Sequence, residues 1–377
     1  MPNFKRVMMG AAGGGTGGEM LFITGEGNDG MTGGNSGGCF PSFVPLVFVM
    51  DEGQDFIDMN VYNSGVHVIR DDGTLWGAGR NSSGQIGDGT TTNRGPLTQV
   101  GSGTYWAKLG TSYRNTIHAI RTDGTLWGWG NNNNAPIGNG TTSGSYCSPV
   151  QIGSDTDWES CSTGSYNGLA IKTGGTLWTW GLNNTGACGL GNTTSPISEP
   201  TQVGALATWK WCKGNSNWCE GIADNGTLWT WGSAWGGAGG RGNTTDVSSP
   251  VQVGSLTDWN VPGSGGVSGP KNIKTDGTLW VAGYNGSYQL GTGNNTSYSS
   301  PVQIGSLTDW AWQSGDNHCA ALKTSGTAWS WGTNNNGCLG LGDDTARSSP
   351  TQVGSDTDWF KVGSAGAEAL YFMKSYD

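Results

Sequence analysis

The chain has 377 residues, of which 70 are glycine and 20 tryptophan, and only 12% are charged. Glycine at this density argues against a helical protein, and the lack of a Gly-X-Y period rules out collagen. A net charge of −10 argues against broad binding to nucleic acid or an anionic membrane, which needs clustered Lys and Arg, and no apolar run reaches the length of a membrane helix.

Residues 1–18 match none of the repeats that follow. Phe4, Lys5, Arg6, Val7, Met8 and Met9 form a basic, apolar head on a leash running from Gly10 to Gly18. The apolar stretch is too short for the core of a signal peptide. The segment is expected to be a flexible tether or docking peptide held by another chain.

From Phe22 onward the sequence repeats. The string Gly-Thr-Leu-Trp recurs at Gly73–Trp76, Gly124–Trp127, Gly175–Trp178, Gly226–Trp229 and Gly277–Trp280, with a variant at Gly326–Trp329. Spacings between the aromatic positions, counted from Phe22, are 54, 51, 51, 51, 51 and 49 residues. Each copy continues through a Trp-x-Trp or Trp-x-Ala pair, a glycine-punctuated loop, a Ser-Pro-x-Gln segment and a Thr-Asp-Trp signal such as Thr257-Asp258-Trp259. His118 to Arg121, the turn Thr122-Asp123-Gly124 and then Thr125 to Gly130 have the pattern of a β-hairpin, with glycine supplying the positive φ of the turn. Units near 50 residues, each a small sheet, predict an all-β propeller. Ala367 to Asp377 aligns with the strand before the turn and Glu19 to Gly25 with the strand after it. A hairpin split between the two termini would close a ring of seven blades over residues 19–377, leaving no edge unpaired.

Motifs that suggest chemistry are weak. Gly13-x-Gly15-x-x-Gly18 and Gly34-Asn35-Ser36-Gly37-Gly38 match a dinucleotide fingerprint and a nucleophile elbow, but neither lies between a strand and a helix. His67 and His118 hold equivalent strand positions, and neither they nor His318 shows metal or triad spacing. The aspartates of the Thr-Asp-Trp signal recur from repeat to repeat, which assigns them turn or capping work. The Asn-x-Ser/Thr triplets at Asn81, Asn139, Asn192, Asn243 and Asn285 are expected to serve turns. Cys161 and Cys212 stand where other repeats carry Leu109 and Val362, so the cysteines are expected to be reduced and buried, with no structural metal. No catalytic residue and no cofactor is expected.

Departures from the repeat say more. Trp211, Trp218, Trp235 and Trp312 lie outside the main repeat positions. Trp235 replaces an asparagine (Asn133, Asn184 or Asn335 elsewhere), and Arg241 replaces Asp88, Asn139 or Leu190. An aromatic and an arginine in the variable loops of one blade are candidates for a recognition patch, with Trp211 and Trp312 as further candidates; the alternative is that Trp235 folds over the neighbouring blade.

Gly315 to Leu322, Trp331-Gly332, Gly337 to Gly342 and Tyr288 to Gly293 together resemble the repeat of the regulator of chromosome condensation family. The resemblance covers roughly residues 19–377 and implies a seven-bladed propeller. The family's eukaryotic namesake is an exchange factor for a small GTPase on chromatin, but this chain lacks a long basic tail and any large insertion resembling an exchange wedge. Its near-identical, Trp- and Asn-rich repeats are more similar to bacterial and phage members. The expected function is therefore a non-enzymatic structural or adhesive protein of a phage virion. Residues 1–18 would anchor it to other virion or assembly proteins, and its loops would face a host-surface glycan or protein. The alternative is a cytosolic bacterial interaction scaffold.

Overall fold

The structure is a computed structural model that describes residues 19–26, 39–46, 56–62, 65–112, 114–263, 266, 268–365 and 369–375. The expected docking peptide lies outside them. The described residues form β-strands and two single turns of 3-10 helix, Trp235–Gly237 and Asn335–Gly337. Six four-stranded antiparallel units follow one another along the chain, called blades 1 to 6 here: residues 56–99, 106–151, 158–202, 209–252, 259–303 and 310–352, with Thr111–Ser112 added parallel to the first strand of blade 3. Blade 4 shows the plan. Its strands a to d are Trp209–Gly214, Trp218–Ala223, Leu228–Gly232 and Val247–Gln252, side by side in that order.

A further sheet joins the two ends of the chain. Its order is Cys39–Leu46, Glu19–Glu26, Ala369–Ser375 and Trp359–Ala365, with Phe22 opposite Phe372 and Thr24 opposite Leu370. The fold is an all-β propeller. Strands a of successive blades face the middle of the ring and touch one another. Ser162 Oγ of blade 3 accepts from Gly214 N of blade 4 at 3.0 Å, and Lys108 Nζ of blade 2 donates to the Glu159 carbonyl of blade 3 at 2.6 Å. The inner ring closes between residues 303 positions apart: Lys361 Nζ donates to Asp58 Oδ1 at 2.7 Å.

The repeated strings have separate physical jobs. In blade 2, Gly124 takes φ +77 in the b–c turn, and a Cβ there would drive into the Thr156 carbonyl of the next blade. Only glycine meets both demands. Asp123 Oδ1 accepts from Thr125 N and Oγ1 at 3.0 and 2.6 Å, and Thr125 Oγ1 accepts from the Trp127 indole at 2.8 Å. The turn and the first tryptophan are thus tied together. The second tryptophan works between blades. Trp129, Trp180, Trp231 and Trp331 are fully buried, and each indole donates to a loop carbonyl of the preceding blade, those of Gln85, Pro136, Ala187 and Gln289 respectively.

Lys and Arg at the end of strand b complete the outer rim. Lys172 lies 4.9 Å from the Trp158 ring and 4.8 Å from the Trp178 ring, and pairs with Asp155 and Asp157. Lys274 with Asp258, and Lys323 with Asp309, repeat the arrangement. The Thr-Asp-Trp aspartates Asp157, Asp258 and Asp309 therefore act through ion pairs with these lysines, rather than through the turn or capping bonds expected of them. These pairs are partly exposed, so each contributes little alone.

Candidate functional site

Since the repeats are accounted for by packing, candidate sites are the places where one blade departs from the others. The long c–d loops offer the clearest case. In blades 1, 2, 3, 5 and 6 an asparagine pins the loop: Asn81, Asn132, Asn183, Asn285 and Asn334 each accept through Oδ1 from the backbone N–H of Ile86, Ile137, Cys188, Leu290 and Leu339, at 2.8–3.1 Å. Asn81 and Asn285 of the Asn-x-Ser/Thr triplets thus serve as buried pins. Asn139, Asn192 and Asn243 make turns to the N–H of Thr141, Thr194 and Thr245.

Blade 4 has Ala234 in place of the pin and Gly239 where the others place Ile, Leu or Cys. Arg241 fills the hole. Its guanidinium would meet a Cβ added at Gly239, and it donates to Thr230 Oγ1 at 2.8 Å and the Thr245 carbonyl at 2.7 Å. Arg241 is therefore a packing element of its own loop, although the loop pattern alone made it a candidate for recognition. Arg241→Ala is expected to cost about 2 kcal/mol, because it opens a cavity and removes the charged donor to the buried Thr230 hydroxyl and the Thr245 carbonyl. Gly239→Leu combined with Arg241→Leu should recover most of that loss in denaturant unfolding; an unchanged midpoint for Arg241→Ala would refute the filling role.

Trp235 behaves otherwise. It is 60% exposed, and its ring lies on Tyr284 of blade 5, with centroids 4.9 Å apart and planes 38° apart. Both expectations for Trp235 meet here, since it leans over the next blade and still shows an open face. Gly236 at φ +63 permits the approach, because a Cβ there would press on Tyr284 Cβ at 2.8 Å. Tyr288 of blade 5 adds a partly exposed ring at positive φ. The other two aromatic candidates are elsewhere. Trp211 packs against a buried cluster that includes Ile222, Leu228 and Trp259, and the Trp312 indole donates to the Val362 carbonyl at 3.1 Å. Both belong to blade junctions of the inner ring. Trp218 is buried and donates to the Gly266 carbonyl at 3.0 Å.

The histidines are structural. Nε2 of His67 and of His118 lies 3.1 Å from the carbonyl of Ile86 and Ile137 respectively, so this nitrogen carries the proton. Strand c has glycine beside each ring, at Gly77 and Gly128; in blades 4 and 6 the hydroxyls of Thr230 and Ser330 bond the corresponding carbonyls of Gly239 and Leu339. Burial lowers both histidines to about 4. A depressed histidine favours the fold when neutral, so this contribution is complete above the unfolded value near 6.5 and fades as pH falls through 4. The destabilisation caused by His118→Gln should therefore shrink by about 2–3 kcal/mol between pH 7.5 and 4.5. A difference from wild type that stays constant over that range would exclude this linkage.

A buried polar group in blades 4 and 5 belongs to no sequence motif. Glu220 and Lys271 occupy the strand position that His67 and His118 hold in blades 1 and 2. Both are fully buried. Glu220 Oε2 accepts from Asn272 Nδ2 at 3.1 Å, Lys213 stands opposite Glu220 across the strand pair, and Lys271 Nζ donates to Ser268 Oγ at 2.9 Å. Burial pushes Glu220 up to about 7 and Lys213 down to about 8. In-phase alignment of the repeats would have exposed the substitution.

Seven of the eight cysteines, Cys39 apart, are free thiols. Cys188, Cys219, Cys319 and Cys338 are buried, whereas Cys147, Cys161 and Cys212 keep partial exposure, which corrects the expected burial of the latter two. Among the described residues no three His, Cys, Asp or Glu side chains are grouped to hold a metal ion.

The sheets are those of a β-propeller, and four stretches of the chain match the regulator of chromosome condensation (RCC1) repeat. Residues 123–171, 174–213, 276–322 and 325–367 match that repeat. Among individual proteins, the chain is 30% identical over 119 residues to the RCC1 domain-containing mitochondrial protein RUG3 of Arabidopsis thaliana, covering 31% of this chain and 26% of that one. It is 26% identical over 190 residues to the ultraviolet-B receptor UVR8 of the same plant, covering 49% and 43%. The matched stretches thus span less than half the length of these relatives. Among solved structures, human WBSCR16 superposes with a TM-score of 0.80 at 18% identity, over 95% of this chain and 99% of that one. Prp20p of Saccharomyces cerevisiae gives 0.80 at 15% identity, over 94% and 91%. At these identities the likeness is one of fold.

Proposed function

We propose that the chain is a non-enzymatic display propeller: a seven-bladed ring, closed by its two ends, that holds a few non-repeating side chains out for a partner. The observation that carries this reading is the Trp235–Tyr284 pair, a large aromatic face left open on a rim where three of the corresponding loops carry asparagine and the other two serine and glycine. Exposed aromatic rings on a rigid frame bind with little entropy loss, and tryptophan and tyrosine are the residues that most often anchor interfaces. The propeller fold hosts many functions, so the site and not the fold supports the reading.

The setting we propose is the surface of a phage particle, an inference from sparse charge, neutral polar loops and near-identical repeats, with a host-surface glycan or protein as the ligand. Immunogold electron microscopy of particles from the native source, with antibody raised against residues 233–246, tests it. Labelled virions are the expected result. Label confined to the cell interior would select the cytosolic scaffold instead. In either setting Trp235→Ala should leave melting unchanged and abolish partner binding; full binding by that variant would overturn the site.

A further inference from the structure

Blades 2 to 6 each carry two rim tryptophans that form a seat for a cation, blade 1 has Phe56 and Trp76 there, and the chain fills nearly all of these seats itself. Arg70 lies 4.0 Å from the Trp76 ring centroid, and Arg121 lies 3.4 Å from that of Trp127. Lys172, Lys274 and Lys323 each lie over both tryptophans of their blade. Lys374 lies over Trp359 in the sheet that joins the ends.

Blade 4 is the exception. Ala223 stands where the others place Lys or Arg, and it is too short to reach the rings. The ring pair is nonetheless built as elsewhere. Trp209 and Trp229 meet edge to face at 6.1 Å and 72°, against 6.0 Å and 79° for Trp158 and Trp178. The loop aspartates that accompany a lysine are absent too: Leu206 and Thr208 replace the equivalents of Asp155 and Asp157. Leu206, Trp209, Trp229, Gln202 and Pro250 line a surface pocket there. Beside it, exposed Asp224 stands where four other blades carry Thr122, Thr173, Thr275 and Thr324, and it makes no ion pair among the described residues.

We propose that this blade-4 seat receives a lysine or arginine side chain from a protein partner, stacked on the partly exposed Trp229 at the edge of buried Trp209 and paired with Asp224. The repeat itself supplies the precedent for the chemistry, since the same ring pair holds a cation wherever the chain can provide one. Aromatic faces attract cations most strongly where water is partly excluded, and Leu206 would cover the aliphatic stem of such a side chain. The acidic net charge of the chain favours approach of a basic partner. The seat lies at the end of strand b and the start of strand a, the face opposite to the Trp235 loop, because antiparallel strands place those ends on opposite sides of the blade. The two sites can therefore fail independently.

The test uses the full chain with indole nitrogens labelled, titrated with n-butylammonium and, as the neutral control, n-butanol. The expected result is saturable movement of the Trp209 and Trp229 indole signals with butylammonium at tens of millimolar, as a single exposed cation–π contact predicts. Butanol should give at least a fivefold smaller effect. Thr208→Asp, which restores one carboxylate, should tighten binding about threefold, as an added partly exposed ion pair would. Ala223→Lys with Thr208→Asp rebuilds the self-filled seat and should abolish the response without lowering the melting temperature. No saturable shift, an equal response to butanol, or a response that survives in the rebuilt seat would overturn the proposal.

Discussion

A chain truncated after Gly363 is expected to lose its cooperative unfolding transition. The cut removes Ala369–Ser375, the strand that lies between Trp359–Ala365 and Glu19–Glu26. Leu370, Phe372 and Met373 are buried, and the first two join a cluster with Leu322, Val353, Trp359 and Val362. Each such side chain contributes about 1.5–3 kcal/mol through burial, so the three together approach the whole stability of an ordinary domain, about 5–15 kcal/mol. The strand Glu19–Glu26 would also lose a neighbour and present an open edge. Near-UV circular dichroism, dominated here by tryptophan, should lose its sharp melt, and the truncated chain should aggregate. A truncated chain that melts sharply at the wild-type temperature would show that the end-joining sheet is not part of the cooperative unit.

Two tryptophans two residues apart should differ severalfold in what they contribute. Trp180→Ala is expected to cost about 4 kcal/mol, in the range for large-to-small changes at a fully buried aromatic. Its indole donates to Pro136 of the preceding blade at 2.8 Å, meets the His118 ring edge-on at 5.3 Å, and is closely approached by Gly138 and Gly168. The two glycines have no side chains to move into the space it would leave. Trp178 sits partly exposed on the rim, bonded to Thr176 of its own turn at 3.0 Å and capped by Lys172. Trp178→Ala should cost about 1–2 kcal/mol. Equal shifts in urea midpoint for the two variants would refute the division of labour between inner and outer tryptophans.

That division was partly legible beforehand. Sheet units near 50 residues, the Asp-Gly turn and the strand pairing around Phe22 and Leu370 follow from spacing and from glycine chemistry, which act over a few residues and leave a periodic trace. The direction in which each indole donates leaves none, because it depends on how one blade sits on the last. Arg241 shows the same limit. As a departure from the repeat it stands out, yet only the geometry reveals that Gly239 and Ala234 made room for it. Residues that compensate for one another look, in sequence, like residues gained for a partner. Glu220 and Lys271 were hidden for a different reason: a single acid or base inside a regular strand forms no motif. Trp235 could be singled out because it is the one aromatic at a loop position where three other copies carry asparagine.

The bond from each inner indole to the blade before it also bears on how such a ring changes over evolution. At four junctions the donor is the same atom and the acceptor the same loop carbonyl. A junction made of interchangeable parts does not record which two blades it joins. Duplication or loss of one repeat in the gene therefore leaves seams that still fit, and a single blade can diverge, as the fourth has, without asking its neighbours to change.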